Sequence, residues 1–596
     1  MLRATGRPAS PRRSRRAARR RIHHPDHPPR TPSHPHRGRA AIHLAARTAH
    51  RRHRPVVIGP ESTDRARRQY DAYAPRYGAH DLAGGHQCSS ARPRADKFLL
   101  ARLPSPLSVA RIRRATRHAN RGSTVAKAVL SPQAENFPAW YQDVVARAEL
   151  AENGPARGTM VIRPWGYAIW ELMQADMDRR IKATGAQNAA FPLFIPMSFL
   201  EREKQHVEGF SPELAVVTHG GGEQLAEPLV VRPTSETVIN HYFAKWIQSH
   251  RDLPLMLNLW NNVVRWELRP RLFLRTTEFL WQEGHTVHAT YEDAVEETQR
   301  MLEVYRQFME ESLAISVVLG EKSPGERFAG ADHTFTCEAL MRDGKALQMG
   351  TSHNLGHNFA RAFDIQYLDA NGERRPTATT SWGTSTRMVG GVIMVHGDDH
   401  GLRLPPAIAP HQVVVMQLGE ESEVAEAAAR IVAELRAAGV RTHPDTRVHT
   451  SFGRRTVDWE LKGVPVRIEL GARELAAGHA TVVRRDNRTK GTVPLGGAAG
   501  AAASLLDEIQ WALFEESRTF REEHTYPVTD FDEFKQRVGD GGLFLAAWCG
   551  TEEAEQALGE GTGATIRCMV DADPPAPTCL VTGMPAKHTV LIGRAY

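Results

Sequence analysis

Charge is divided unevenly along the 596 residues, and the division limits where a fold can form. Residues 1–124 contain 29 Lys and Arg against 6 Asp and Glu, a net +23, while the other 472 residues contain 47 against 62, a net −15. The leader reads PRRSRRAARRRIHHPDHPPRTPSHPHRGRA and continues in that style, with few aliphatic side chains before Phe98. It has too little apolar surface to offset the entropy of ordering, so disorder is expected there. Arg-rich, acid-poor segments also serve as RNA-binding arms or organellar transit peptides. Abundant Pro and His without an amphipathic period read instead as translated upstream sequence, with the functional start near Val125. The net +8 of the whole chain is thus an average of two unlike parts, and the body that folds is acidic.

That body has no apolar run of about 18 residues, so no membrane-spanning helix is expected. Five cysteines, at 88, 337, 549, 568 and 579, are too scattered for a disulfide framework, which makes a cytoplasmic location the expectation. Apolar spacing at Ile169, Leu172, Met173, Met177 and Ile181 predicts a helix over 165–184, stopped by Gly185. Strand-like alternation predicts strands over 229–289 and 334–367, with a second helix at 294–311. Many strands without strict β–α alternation indicate an α+β fold built on an antiparallel sheet. After Pro405, Pro406 and Pro410, strand–helix alternation predicts a separate α/β domain, with a helix over 421–438. A GGAAGAAA joint then precedes a small third unit. The expected division is 1–124 leader, 125–408 catalytic domain, 409–500 second domain and 501–596 C-terminal domain.

The sharpest constellation is VVRWELRPRLFLRTTEFLWQEGH, 263–285. Side chains at i and i+2 share one face of a strand, so Arg265 and Glu267 are expected to project together, as are Trp281, Glu283 and His285 on the returning strand. Arg269, Arg271 and Arg275 lie between. A fixed Arg and Glu beside an Arg-rich loop suit a nucleotide polyphosphate, guanidinium to phosphate and carboxylate to an exocyclic amine. An ordinary charged hairpin face has the same composition. HGGGE at 219–223 has no GxSxG partner for hydrolysis, and no GxxxxGK[ST] loop is present to hold phosphate.

The hairpin resembles motif 2 of class II aminoacyl-tRNA synthetases. RPWGYAIWELMQADMDRRI…FPLFIP (163–196) resembles motif 1, and SWGTSTRMVGGVIMVHGDDHGLRLPP (381–406) is similar to motif 3. With VRPTSET (231–237) and LQMGTSHNLG (347–356), the set resembles the prolyl-tRNA synthetase family, of the archaeal and eukaryotic-like type that also occurs in bacteria. The resemblance implies a class II catalytic domain with a six- or seven-stranded antiparallel sheet, a homodimer through motif 1, an α/β anticodon-binding domain and a zinc-binding-type C-terminal domain. It implies ATP with Mg²⁺, L-proline and tRNA(Pro) as substrates and partners, and two-step ligation through a prolyl-adenylate.

By resemblance, Arg265 holds the α-phosphate, Glu267 and Phe279 the adenine, Arg275 and Arg387 the outer phosphates, and Gln348 and Ser385 complete the ATP side. Thr234, Glu236, Glu283, His285 and His353 surround proline, with Trp281 and Phe328 as apolar walls. Glu460, Arg467, Arg473 and Glu474, in DWELKGVPVRIELGARELA, match anticodon-contacting positions, although a surface salt-bridge network would use the same residue types. GARE and SFGRRT depart there from the family's GPRD and PGxKF-like runs.

Two family zinc ligands, Cys549 and Cys579, are present, but their partners read Ala554 and Thr582. Two thiolates do not make a tetrahedral site, so zinc is not expected and a domain held by packing is. Cys568 could be a third ligand or a buried apolar cysteine. His353 and His357 form H-x3-H without the HExxH glutamate, so no zinc site is read there. Only 285–381 separates motifs 2 and 3, which leaves no room for an inserted editing domain. The final Tyr596 resembles a family feature in which the terminal carboxylate folds back toward the active site. A class II synthetase for threonine or glycine and a non-catalytic RNA-binding paralogue are the alternative readings; Thr234-Ser235-Glu236 and Trp281–His285 favour proline, and the joint presence of Arg265, Glu267 and Arg387 favours catalysis.

Overall fold

The computed structural model describes the backbone of residues 129–206 and 214–596. The expected leader and the Val125 start lie outside the described residues. Helix α1 (Pro164–Ala183) begins with proline, whose missing N–H is of no consequence at a first helical position. It ends before Gly185, whose φ of 99° suits glycine alone. Ile169, Met173, Met177 and Ile181 form its buried face as predicted, while Leu172 is half-buried.

The central sheet has β1 (Gln187–Asn188), β2 (Leu255–Val264), β3 (Glu278–His288), β4 (Val317–Glu321), β5 (His333–Leu340), β6 (Ala346–Gly356) and β7 (Ala378–Ser385), in the spatial order β4-β5-β6-β7-β3-β2-β1. Neighbours are antiparallel except for the parallel pair β1–β2. The stretch 229–289 is not all strand: helix α2 (Glu236–Trp246) interrupts it. Its Val238, Ile239 and Phe243 pack against Leu257, Leu259, Leu355 and Phe359, and this tertiary packing overrides the β propensity of a Val-, Ile- and Thr-rich segment.

Helix α3 (Tyr291–Gln307) lies across the back of the sheet, with Met301, Leu302 and Tyr305 in the main core beside Cys337, Met349 and Trp382. It ends four residues short of the expected boundary, closing in a π-turn at Phe308–Ser312. Helix α4 (Arg387–His396) follows β7 and is buried from Met388 to His396.

Beyond Pro410 a five-stranded sheet runs β9 (Thr442–Asp445), β8 (Val413–Leu418), β10 (Val466–Gly471), β11 (His479–Arg484) and β12 (Lys490–Pro494). The three strands β9, β8 and β10 are parallel. Helices α5 (Ser422–Ala437) and α6 (Ala498–Glu523) cover it, Ile431 and Leu435 meeting Val413, Ile468, Leu506 and Ile509. The Gly/Ala-rich joint is therefore mostly the first turns of α6 rather than a linker.

The C-terminal strands β13 (Thr525–Pro527), β14 (Leu543–Trp548), β15 (Thr565–Val570) and β16 (His588–Gly593) do not make a sheet of their own. They extend the central one to eleven strands, with β15 meeting β4 at Met569 and Glu321. Gly320 allows this approach, since a Cβ there would lie 2.4 Å from the Met569 carbonyl oxygen. Among the described residues no helix is long and apolar enough to cross a membrane.

Candidate active site

One cavity of about 250 Å³ opens on the face of the sheet formed by β3, β7, β6 and β5. The strand pleat sets its floor. Trp281, Glu283 and His285 alternate along β3, Ser385, Gly383 and Ser381 stand opposite them on β7, and Thr351 and His353 follow on β6. Gly284 faces the other way and lies under the Trp382 ring, where any Cβ would be about 2.1 Å from the indole. A side chain at 284 would displace that tryptophan and tilt the strand that carries Glu283.

Twelve of the fourteen residues expected to bind proline or ATP line this cavity: Thr234, Glu236, Trp281, Glu283, His285, Phe328 and His353 for proline, and Arg265, Phe279, Gln348, Ser385 and Arg387 for ATP. Glu267 and Arg275 do not. They line an adjoining cleft of about 330 Å³ that shares Arg265, Phe279, Ser385 and Arg387. The expectation that Arg265 and Glu267 share a strand face fails because β2 ends at Val264 and both residues lie in the loop beyond it. Glu267 instead accepts from the Arg269 main-chain N–H at 2.8 Å and lies 3.6 Å from the Arg275 guanidinium.

The two ends of the cavity differ in charge. At one end, Glu236 is the first residue of α2, at the positive end of the helix dipole. Its carboxylate accepts from Thr234 Oγ1 at 2.5 Å. Glu283 accepts from Ser235 Oγ, from Asn261 Nδ2 at 2.8 Å and from His285 Nε2 at 3.1 Å. One ligand atom each from Glu236, Glu283 and His285 lie within 4.8 Å of one another.

Burial pushes the Glu283 carboxyl upward, but the His285 hydrogen bond and charge, with Ser235 and Asn261, hold it below the usual carboxylate range. Burial likewise pulls His285 down, and Glu283 and Glu236 outweigh that and hold it above its ordinary value. The trio sets two acidic side chains beside one imidazole, an acidic end suited to a cationic group. Burial, helped by His285 and Arg265, lowers His353 to about 3, so it is a neutral ring; its Nδ1 lies 3.0 Å from Thr334 Oγ1 and its ring packs 4.7 Å from Phe328.

At the other end Arg265 donates Nε–H to the Pro233 carbonyl at 2.9 Å and lies over Trp281 and Phe279, 5.1 and 5.7 Å from their ring centres. Arg387, the first residue of α4, donates to the Leu274 carbonyl at 3.2 Å and the Gln348 carbonyl at 3.5 Å. Burial and the nearby Arg275 and Arg265 lower its pKa to about 10, so it is still a cation at neutral pH. Neither guanidinium has a carboxylate partner among the described residues. Sequence reasoning missed Lys322, Glu326, Thr334, Thr351 and Ser381, which also line the cavity. Thr351 and Ser381 lay inside quoted motifs, so those two had a signal to follow.

In the second domain Arg467 pairs with Glu469 at 2.9 Å and Glu460 at 3.5 Å, and Lys490 closes the network on Glu469 at 2.7 Å. Arg473 is exposed, and Glu474 accepts from the Gly471 N–H at 3.2 Å. Arg467 is the second residue of β10, while Arg473 and Glu474 lie in the short helix Ala472–Ala476 that follows it. Arg467 bonds Glu460, and Glu474 bonds the Gly471 main chain rather than Arg473.

In the C-terminal unit Cys549 Sγ lies 3.5 Å from Thr582 Oγ1 and 3.6 Å from Thr551 Oγ1, and Cys579 and Ala554 pack in the same apolar cluster. Cys568 belongs to a different cluster, with Leu340, Ala346, Leu543 and Leu591, so it is not placed as a third ligand. His357 Nδ1 meets the Thr377 carbonyl at 2.8 Å. Tyr596 donates to Asp343 at 2.6 Å and lies under Arg271, behind the loop that follows β2 and outside the active-site cavity.

The family described as tRNA synthetase class II core domain (G, H, P, S and T) matches residues 221–396, an anticodon binding domain matches 412–504, and the family described as prolyl-tRNA synthetase, C-terminal, matches 531–596. The proline–tRNA ligase of Frankia alni is 57% identical over 470 residues, covering 79% of this chain and 100% of that protein. Those of Porphyromonas gingivalis and Mycobacterium leprae are 52% identical over 486 residues and 51% over 471, covering 78% of this chain and 99% and 98% of the relatives. Class II core, anticodon-binding domain and prolyl-type C-terminal unit occur in that order along the chain, the core holds a cavity with one acidic and one cationic end, and the chain belongs to the prolyl-tRNA synthetase family.

Proposed function

We propose that the protein ligates L-proline to tRNA(Pro) in two steps, forming prolyl-adenylate from proline and ATP and passing the prolyl group to the terminal ribose of the tRNA. The observation that carries this reading is one cavity with Glu236 and Glu283 at one end and, at the other, the guanidiniums of Arg265 and Arg387, which are held by main-chain carbonyls. Proline is a secondary ammonium with two N–H donors, which Glu236 satisfies where a neutral group would leave the cation poorly paired. Glu283, held by Ser235, Asn261 and His285, fixes the negative field, while Trp281, Phe328 and the neutral His353 wall the ring.

The carboxylate of proline is already ionised and needs no general base to attack the α-phosphorus. Rate comes from alignment and from cations that neutralise charge as pyrophosphate departs. Arg265 holds the α-phosphate and Arg387 the outer phosphates; Gln348, Thr351 and Ser385 line the same end, and Phe279 stacks on adenine. Glu267 and Arg275 reach ATP when the loop exchanges their mutual contact for adenine and phosphate. The ATP end offers neutral oxygens from Gln348 and Ser385, which fits a Mg²⁺ carried mainly on phosphate, and the ion would there neutralise the leaving pyrophosphate.

Arg467 with Glu460 and Arg473 with Glu474 contact the anticodon, a guanidinium being suited to guanine edges. The catalytic unit is kept at 125–408, and the anticodon-binding unit expected to end at 500 is extended through α6, because Leu506, Ile509 and Leu513 pack on its sheet. The motif 1 region carries exposed Val161, Tyr167, Leu193 and Phe194, which favours homodimerisation through that surface. The C-terminal unit folds without zinc. Pyrophosphate exchange into ATP tests the reading: proline should support it, and threonine and glycine should not.

A further inference from the structure

Beyond Arg265 and Arg387, the cavity is lined by a third cation. Lys322, directly after β4, is 2% exposed. Its Nζ donates to Glu338 Oε1 at 2.8 Å and to the main-chain oxygen of Arg567 at 2.7 Å. An ammonium has three donors, so one is left for the cavity. Glu338, fully buried on β5, is also gripped by the Arg567 guanidinium, with Nε and Nη2 at 3.1 and 3.0 Å from Oε2, and accepts from Thr336 Oγ1 at 3.0 Å. Two cations therefore share one carboxylate, and a buried positive charge is left over. A surplus of this kind is costly unless an anion arrives to meet it.

The surplus sits at the cationic end. Glu338 is opposite Gln348 across the β5–β6 ladder, and the Gln348 carbonyl accepts from Arg387. The carboxylates of the acidic end are already held by Thr234, Ser235, Asn261 and His285.

We propose that Lys322 is a third phosphate-binding cation of the active site, donating its remaining N–H to the nucleotide's phosphate oxygens, and that Arg567 of the C-terminal unit is the positioning residue that holds it there. This rests on the reading of the cavity as an ATP site. It also gives the C-terminal strands a part in catalysis: β15 delivers a guanidinium and a carbonyl to the brace of a substrate ligand, although its own side chains lie outside the cavity.

The test is proline-dependent pyrophosphate exchange with Lys322→Met, in which Glu338 keeps Arg567 as its partner and the fold should be retained. Loss of one charge-assisted hydrogen bond should raise the KM for ATP by roughly ten- to a hundredfold, with the KM for proline within about twofold of wild type. Arg567→Lys, which keeps the charge but loses the bidentate grip, should shift the same KM for ATP by a smaller factor, and it serves as the test should Lys322→Met not fold. An unchanged KM for ATP in a folded variant, or an equal rise in both KM values, overturns the proposal. Wild-type protein inactive in proline-dependent exchange would instead refute the functional reading on which it stands.

Discussion

The acidic and cationic ends of the cavity, which we propose as the proline end and the nucleotide end, are built from different material. At the proline end the polar groups come from β3, β6 and the first turn of α2, and they bond one another: Glu283 has three donors, Glu236 has Thr234, and His353 has Thr334. At the nucleotide end Arg265 and Arg387 donate to main-chain carbonyls, and Glu267 and Arg275 hold each other in a loop. The first arrangement is organised before substrate arrives. The second has cations in reserve and a loop contact to exchange, so binding of ATP should complete it. On the proposed reading, the ammonium of zwitterionic proline meets groups that already bond one another, and the phosphates of ATP meet guanidiniums held only by main-chain carbonyls.

This contrast can be broken at several points. Arg265→Ala should have the largest effect, lowering kcat for proline-dependent exchange by about 10²–10³-fold, as loss of a donor to developing charge does elsewhere. Glu283→Gln should come next, raising the KM for proline by about tenfold because His285 loses its charged partner and the acidic end loses a carboxylate. Glu267→Gln should change the KM for ATP by only about two- to fivefold, since its Arg275 partner is half exposed and such pairs contribute little in the free protein.

The smallest expected effect is on stability against pH. A histidine whose pKa is raised in the folded state contributes stability that is complete below its unfolded value, near 6.5, and is lost as pH rises through the folded value. Thermal unfolding of the wild type should therefore fall gently above neutral pH, and Glu283→Gln should flatten that slope. An unchanged slope would mean that His285 is neutral in the folded protein.

Part of the proline end could be read from the chain, because Trp281, Glu283 and His285 alternate on one strand. The places of Thr234, Glu236, Phe328 and His353 came instead from the resemblance to the family, since no short-range rule brings them to that strand. The nucleotide end was less legible. Arg265 and Glu267 have strand spacing, yet the chain leaves the sheet at Val264, and nothing local marks that exit. Helix α2 was hidden because Thr237, Val238, Ile239, Tyr242 and Phe243 have strand propensities and are made helical by their packing. The extension of the sheet into the C-terminal unit, and with it the meeting of Lys322, Glu338 and Arg567, depends on a bridge between residues nearly 250 positions apart. No periodicity reports such a contact.

The most direct test of the divided cavity is the pair of KM values measured for Glu236→Gln in pyrophosphate exchange. The carboxylate at the start of α2 should belong wholly to the amino-acid end, so the KM for proline should rise by about tenfold or more while that for ATP stays within about twofold. Equal rises in both, or a rise confined to ATP, would contradict the assignment of the acidic end to proline.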